Sequence, residues 1–117
     1  MVLTQESLPD ALCAGFPDLC SDVRRLADDG PHVVMGQAVL PWLRARLDQG
    51  EIDEEVASMF DLIEAMAESE DYRLVNVVRA SICESLGDDG HRLTIARSLM
   101  GPRTLAISAV VEDQLWR

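Results

Sequence analysis

Apolar residues recur along the chain at helical spacing and are separated by short turn signals rich in Gly, Pro and acidic residues. The signals lie at Gly30-Pro31, Gln49-Gly50, Glu70-Asp71, Asp89-Gly90 and Gly101-Pro102. The stretches between them have the length and the period of helices, and none shows the strict alternation of a half-buried strand. The pattern predicts an all-α domain of about six helices.

The clearest amphipathic stretch lies between residues 52 and 67, where apolar positions form one stripe and polar positions the opposite face. Its predicted core stripe is Ile52, Val56, Met59, Phe60, Ile63, Met66 and Ala67. The stretch 72–86 is apolar around more of its circumference, because Val77, Ala80 and Cys83 extend the apolar side. We therefore expect it to be the central helix.

Prolines and glycines modify two of the predicted helices. Pro41 should kink the stretch 31–48, because an internal proline lacks an N–H and crowds the carbonyl four residues earlier. Trp42 shares an apolar face with Val39 and is predicted to lie in the core. Gly101-Pro102 should split the segment 93–116 into a short helix and a terminal one.

The connections are short, so sequential helices are expected to form antiparallel hairpins in a bundle. A stack of such hairpins resembling a short α-solenoid is also compatible with the helix lengths. The 117 residues fit one domain with one core, so we expect residues 1–117 to form a single helical domain.

The charge is strongly acidic, with 21 carboxylates against 10 basic residues and a net charge of −11. Every basic residue is Arg. A surface of this sign is repelled by phosphate groups, which argues against nucleic acid and anionic membranes as partners. It favours a basic protein partner, although net charge also serves solubility alone.

In an antiparallel bundle the loops alternate between two ends, so the carboxylates of the turns should collect there. One end would hold Asp28, Asp29, Glu68, Glu70 and Asp71. The other is the predicted partner-binding surface, to which Trp116 is added as a C-terminal aromatic anchor. The predicted binding residues are Asp48, Glu51, Asp53, Glu54, Glu55, Asp88, Asp89 and Trp116.

The cysteines and the lengths of the apolar runs indicate where in the cell the protein is located. Cys13, Cys20 and Cys83 form an odd set without a CxxC pair, which argues against a secreted disulfide scaffold. No basic start followed by an apolar run marks a signal peptide, and no apolar run is long enough for a membrane span. These observations predict a cytoplasmic protein.

No group of residues has the spacing of a catalytic, metal or cofactor site. His32 and His91 lie beside turn carboxylates, but neither has the further ligands that zinc needs. His32 is expected at a helix start, partly packed on Trp42 or its neighbours. Cys83 lies mid-helix on an apolar side, which predicts a buried, inert thiol. We therefore expect no enzyme, no metal and no cofactor.

Several short elements resemble a bacterial family of small helical domains of unknown function. They are Phe16-Pro17-Asp18-Leu19, Pro31-His32, Gly36, Trp42-Leu43 and the run Tyr72, Asn76, Ser81, Glu84 and Leu86. The resemblance covers about residues 16–87 and implies an all-α fold without an assigned activity. The chain departs from the family pattern at Gln37 and Pro41, before the tryptophan.

In size and acidity the chain also resembles the immunity proteins that neutralise bacterial toxins. The first functional hypothesis is therefore a non-enzymatic immunity or antitoxin-type protein that binds a basic toxin domain through an acidic surface. The alternative is a scaffold or regulatory helical module that binds a peptide or a partner helix. The second hypothesis includes a homodimer, and the sequence leaves the oligomeric state open.

Overall fold

The computed structural model describes residues 3–116, apart from the side chain of Trp116, and over that range the chain forms seven helices and no β-strand. They are α1 (Leu8–Gly15), α2 (17–29), α3 (31–48), α4 (Glu54–Ala67), α5 (72–86), α6 (Gly90–Leu99) and α7 (102–116). The predicted all-α fold is confirmed. The count is seven because Gly15-Phe16-Pro17 separates α1 from α2 in the region before Gly30, whereas the split at Gly101-Pro102 occurs as predicted.

The core stripe of α4 follows its predicted period with one exception. Met59, Phe60 and Ile63 are at most 1% exposed, whereas Ile52 is 43% exposed. The prediction for Ile52 was wrong because α4 begins only at Glu54. Asp53 caps the helix by accepting a hydrogen bond from the backbone N–H of Val56. Ile52 therefore precedes the helix and does not share its period.

Helix α5 is central, as its broad apolar surface predicted. Leu74, Val78, Ile82 and Cys83 are buried, and α5 contacts α3, α4 and α7. Buried residues from Leu8 in α1 to Val111 in α7 form one continuous core. The described residues therefore pack as a bundle around a single core and not as an extended solenoid.

Helices α3 and α5 each contain a wider π-helical segment, Met35–Val39 and Val78–Cys83. In α3 this segment comes just before Pro41, and the helix continues through the proline up to Asp48. A π turn relieves the crowding of the proline ring against the preceding turn, so α3 is one helix with a local widening.

The contacts between α3 and α5 show the relative direction of these two helices in the bundle. The starts of α3 and α5 contact each other, and so do their π segments, so these two helices run parallel. Their C-terminal ends therefore lie at the same end of the bundle.

Over residues 3–116, none of the helices combines the length and the apolar character required for a membrane crossing.

Candidate functional site: the acidic end

Arg92 joins the two acidic loops that follow α3 and α5. Its Nε and Nη2 lie 2.9 and 2.8 Å from the two carboxylate oxygens of Asp48, and its Nη1 lies 2.9 Å from Oδ1 of Asp88. The structure thus brings together Asp48, Glu51, Asp53, Glu54, Glu55, Asp88 and Asp89, which we call the acidic end. Trp116, the remaining predicted residue, has its side chain outside the described part.

A second arginine, Arg46, holds the start of α4. Its Nη1 lies 3.0 Å from Oδ2 of Asp53 and its Nη2 lies 3.5 Å from Oε1 of Glu55. The guanidinium also stacks over Trp42, 4.8 Å from the ring centroid. Trp42 is half-buried and meets Phe16 edge-on at 5.9 Å between ring centroids. The prediction of a core tryptophan was therefore only partly right, because Trp42 packs against the core but is only half-buried.

Two carboxylates of the acidic end cap helices. Asp53 accepts the N–H of Val56 at 3.1 Å, and Asp89 accepts the N–H of Arg92 at 2.9 Å at the start of α6. Both complete backbone hydrogen bonds that a helix start leaves open. Asp53 and Asp89 therefore stabilise the fold whether or not they bind a partner.

The acidic end includes the turn between α3 and α4. Gly50 adopts a positive φ of 71°, and the chain then runs through Glu51, Ile52 and Asp53 before α4 begins. Glu51 and Glu54 are exposed, and their carboxylates make no hydrogen bond or ion pair with any described residue. Ile52 is an exposed apolar side chain between these two free charges. It is the site residue that the sequence analysis assigned to the core.

The two arginines reduce the negative charge of the acidic end without removing it. Hydrogen bonding from Arg92 lowers the pKa of Asp48, and the same contact raises the pKa of Arg92. This end holds seven carboxylates against Arg46, Arg92 and the nearby Arg44, which also acts on Asp48, so at neutral pH it presents an excess of negative charge. Such a surface suits a cationic partner.

The opposite end of the bundle also carries carboxylates, and Arg73 pairs with two of them. Asp71 accepts the backbone N–H of Gln5 at 2.8 Å and pairs with Arg73, which also binds Glu6 at 3.0 Å. Asp28 lines a groove of about 310 Å³ beside the segment that contains Glu6. Asp29 and Glu70 are exposed there without a partner among the described residues.

His32 and Cys83 lie in different surroundings. His32 lies at the start of α3 as predicted, but its imidazole is exposed, with Nδ1 2.9 Å from Oγ of Ser81, and is not partly packed on Trp42 or its neighbours as expected. Cys83 is 1% exposed, and burial raises the pKa of its thiol to about 12, so it remains protonated. No cluster of three metal-ligating side chains occurs in the part of the chain that the structure describes.

Cys13 and Cys20 form a disulfide between α1 and α2. The odd number of cysteines without a CxxC pair argued against a disulfide scaffold, so this bridge was not predicted. The two residues come together because Gly15-Phe16-Pro17 ends α1 and reverses the chain before α2. The turn itself was visible in the sequence, but its direction was not.

The chain matches a known protein family. Residues 9–117 match the model of a family described as a domain of unknown function, DUF7674. No curated protein and no solved structure matches the chain. The family match spans nearly the whole chain, including both loops of the acidic end. The chain therefore belongs to the DUF7674 family of domains of unknown function.

Proposed function

We propose that this protein is a non-enzymatic interaction protein whose acidic end binds a basic protein partner. The observation that carries the proposal is the exposed side chain of Ile52 between the free carboxylates of Glu51 and Glu54. Interfaces commonly combine an apolar contact at the centre with charged residues around it. The turn at residues 50–53 has this composition.

The charges and the isoleucine would have different effects on binding. Complementary charge accelerates association and depends on salt, whereas a desolvated apolar contact mainly slows dissociation. Arg46 and Arg92 hold the surrounding carboxylates in place through ion pairs, so the surface is ordered before the partner arrives. A basic partner would therefore meet a preformed site.

We further propose that the partner is a bacterial toxin domain and that the protein is its immunity or antitoxin-type inhibitor in the cytoplasm. Small size, strong acidity and a sequence without catalytic motifs support this class. A cytoplasmic location would keep Cys13 and Cys20 reduced. Alkylation of free thiols in freshly lysed cells tests that location, because a persistent Cys13–Cys20 disulfide would contradict it.

The acidic end is tested by the variant E51R/E54R, which reverses two charges that have no partner within the described chain. Its matched control is D29R/E70R, which changes the net charge equally at the starts of α3 and α5. A protein captured from the source cells by the wild type should bind E51R/E54R with an association rate at least about tenfold lower at low salt. The association rate of D29R/E70R should fall much less.

The apolar contact and the toxin are tested separately. I52A should raise the dissociation rate more than it lowers the association rate. The captured partner, expressed alone, should arrest growth, and co-expression of the wild type but not of E51R/E54R should restore it. If the association rate fell equally in E51R/E54R and D29R/E70R, the acidic end would not be the binding site. A harmless partner would contradict only the toxin class.

The alternative function, a helical module that binds a partner helix, is favoured by a different surface. Leu105 and Val110 in α7 are 38% and 51% exposed. Binding there would depend on apolar contact and would therefore change little with salt, in contrast to binding at the acidic end.

A further inference from the structure

A groove of about 310 Å³ opens at the end of the bundle opposite to the acidic end. It lies between the turn before α1, the end of α2 and the start of α3, and its apolar lining consists of Leu8, Pro9, Ala27, Pro31 and Val34. Leu8 and Val34 are each 1% exposed, so core residues form its floor. Ligand pockets commonly measure about 300–1,000 Å³, so this groove has room for one long side chain and not for a large cofactor.

Asp28 is a free charge at the rim of this groove. Its carboxylate is exposed and makes no hydrogen bond or ion pair with any described residue. Glu6 also lines the groove, but its two oxygens accept hydrogen bonds from Nη2 of Arg73 at 3.0 and 3.1 Å. The charge of Glu6 is therefore already compensated. The groove thus combines an apolar lining with the one unpaired carboxylate of Asp28.

The surface around the groove is also negative. Asp29 and Glu70 are exposed at this end and make no hydrogen bond or ion pair with any described residue. Arg73 and Arg24 do not cancel these charges, since Arg73 already binds two carboxylates and Nη2 of Arg24 lies 2.8 Å from Oδ1 of Asp10. A cationic ligand is therefore attracted to this end.

We propose that the groove takes the arginine side chain of a basic segment of a partner protein. The alkyl stem of an arginine packs on apolar surface while its charged head stays at a polar rim. The guanidinium then donates two hydrogen bonds to Asp28, because its planar fork matches the two oxygens of a carboxylate. It is also more weakly hydrated than the ammonium of a lysine and loses less on leaving water.

The surface beside the groove favours a protein segment over a free small cation. Tyr72 is 75% exposed in the first turn of α5, whose start contacts the start of α3. Tyrosine is enriched in protein interfaces, and Asp29 and Glu70 offer charge to basic residues that flank the arginine. This surface is separate from the acidic end, so the inference is independent of the proposed function.

Titration of the isotope-labelled protein with the peptide acetyl-Ala-Lys-Arg-Lys-Ala amide, followed by NMR, tests the groove. The amide signals of Leu8, Ala27 and Val34 should shift and saturate, with a dissociation constant of roughly 0.1–5 mM at low salt. The same peptide with citrulline in place of arginine keeps both lysines and the shape of the central side chain. It should bind at least about fivefold more weakly, because it lacks the guanidinium charge.

Two variants separate the charge of the groove from its space. D28N should weaken binding of the arginine peptide at least about fivefold and change binding of the citrulline peptide little. A27L should abolish binding, because a larger side chain at this position fills the groove. The matched control D18N removes an exposed carboxylate of α2 that has no partner among the described residues, and it should bind like the wild type. Circular dichroism confirms that the variants are folded.

The variants of the acidic end distinguish the two sites. E51R/E54R should leave the titration of the groove signals unchanged, whereas D29R/E70R should weaken it. Shifts confined to the acidic end, equal affinity of the two peptides, or equal effects of D28N and D18N would each overturn the proposal. Equal affinity of the arginine peptide and of free Nα-acetyl-arginine amide would overturn a protein segment as the occupant.

Discussion

The carboxylate of Glu64 in α4 stabilises the start of another helix, α7. It accepts hydrogen bonds from the backbone N–H groups of Arg103 and Thr104, both at 2.9 Å, and from the Thr104 hydroxyl at 2.7 Å. Partial burial acts to raise the pKa of Glu64, but these hydrogen bonds outweigh it and the pKa is lowered. Gly101 has no side chain and leaves room for the carboxylate, since a Cβ there would lie 2.4 Å from Cδ of Glu64.

At the level of single residues, we predict that E64A and G101A remove the same cap. Each should lower the free energy of unfolding by about 1–2 kcal/mol, and the double variant should cost little more than E64A alone. Urea denaturation measures all three. D61A is the control, because Asp61 is exposed on α4 and has no partner among the described residues. Additive losses in the double variant would show that Gly101 and Glu64 act separately.

At the level of elements, the Cys13–Cys20 disulfide ties α1 to α2 across a sequence separation of 7 residues. A short closed loop restricts the unfolded chain, so C13S/C20S should lower the free energy of unfolding by about 2 kcal/mol. Dithiothreitol should cause the same loss in the wild type and none in C13S/C20S. An unchanged denaturation midpoint of the reduced wild type would refute this role for the bridge.

The elements also show what the sequence could and could not predict. Burial follows the helical period, so Met59, Phe60 and Ile63 were assigned correctly from spacing alone. Ile52 was not, because its position depends on where the Asp53 cap starts α4. The π segments of α3 and α5 were missed, since Pro41 indicates a disturbance of α3 but not its form, and the residues of α5 suit an α-helix equally well.

For the candidate site, the alternation of short loops predicted which carboxylates meet at each end. It did not predict the ion pairs of Arg46 and Arg92, because long side chains that reach across helices depend on the distances between those helices. It also missed the exposed apolar side chain of Ile52. The charge of the site was therefore predictable, whereas its internal pairing was not.

At the scale of the whole molecule, Arg92 connects three parts of the chain at the acidic end. Loss of this cation removes its contacts to Asp48 and Asp88. The two negative charges then repel each other without compensation. We predict that R92Q lowers stability by about 1 kcal/mol at low salt, with a smaller loss at high salt because repulsion is screened. Thermal unfolding at two salt concentrations measures this. The control R25Q removes only an exposed ion pair with Asp22 and should lower stability much less. An equal loss would mean that the change in net charge alone causes the effect.

The stability of the molecule should fall in acid, and Asp71 should contribute to that fall. Hydrogen bonds from Arg73, and then from the backbone N–H of Gln5, hold the pKa of Asp71 well below its ordinary value of 3.8. Folding also lowers the pKa of Glu6, Asp48 and Glu64. A carboxylate with a lowered pKa stabilises the folded state above its unfolded pKa and loses that contribution as the pH falls toward its folded pKa.

We therefore predict that D71N melts at a lower temperature than the wild type at pH 7 and that the gap narrows as the pH falls below about 4. The variant cannot be ionised at this position, so its melting temperature should depend less on pH over that range. D29N, which removes an exposed carboxylate without a partner among the described residues, should follow the wild-type curve. Melting curves of D71N and wild type that stay parallel from pH 7 to about pH 2.5 would mean that Asp71 stabilises the fold without its charge.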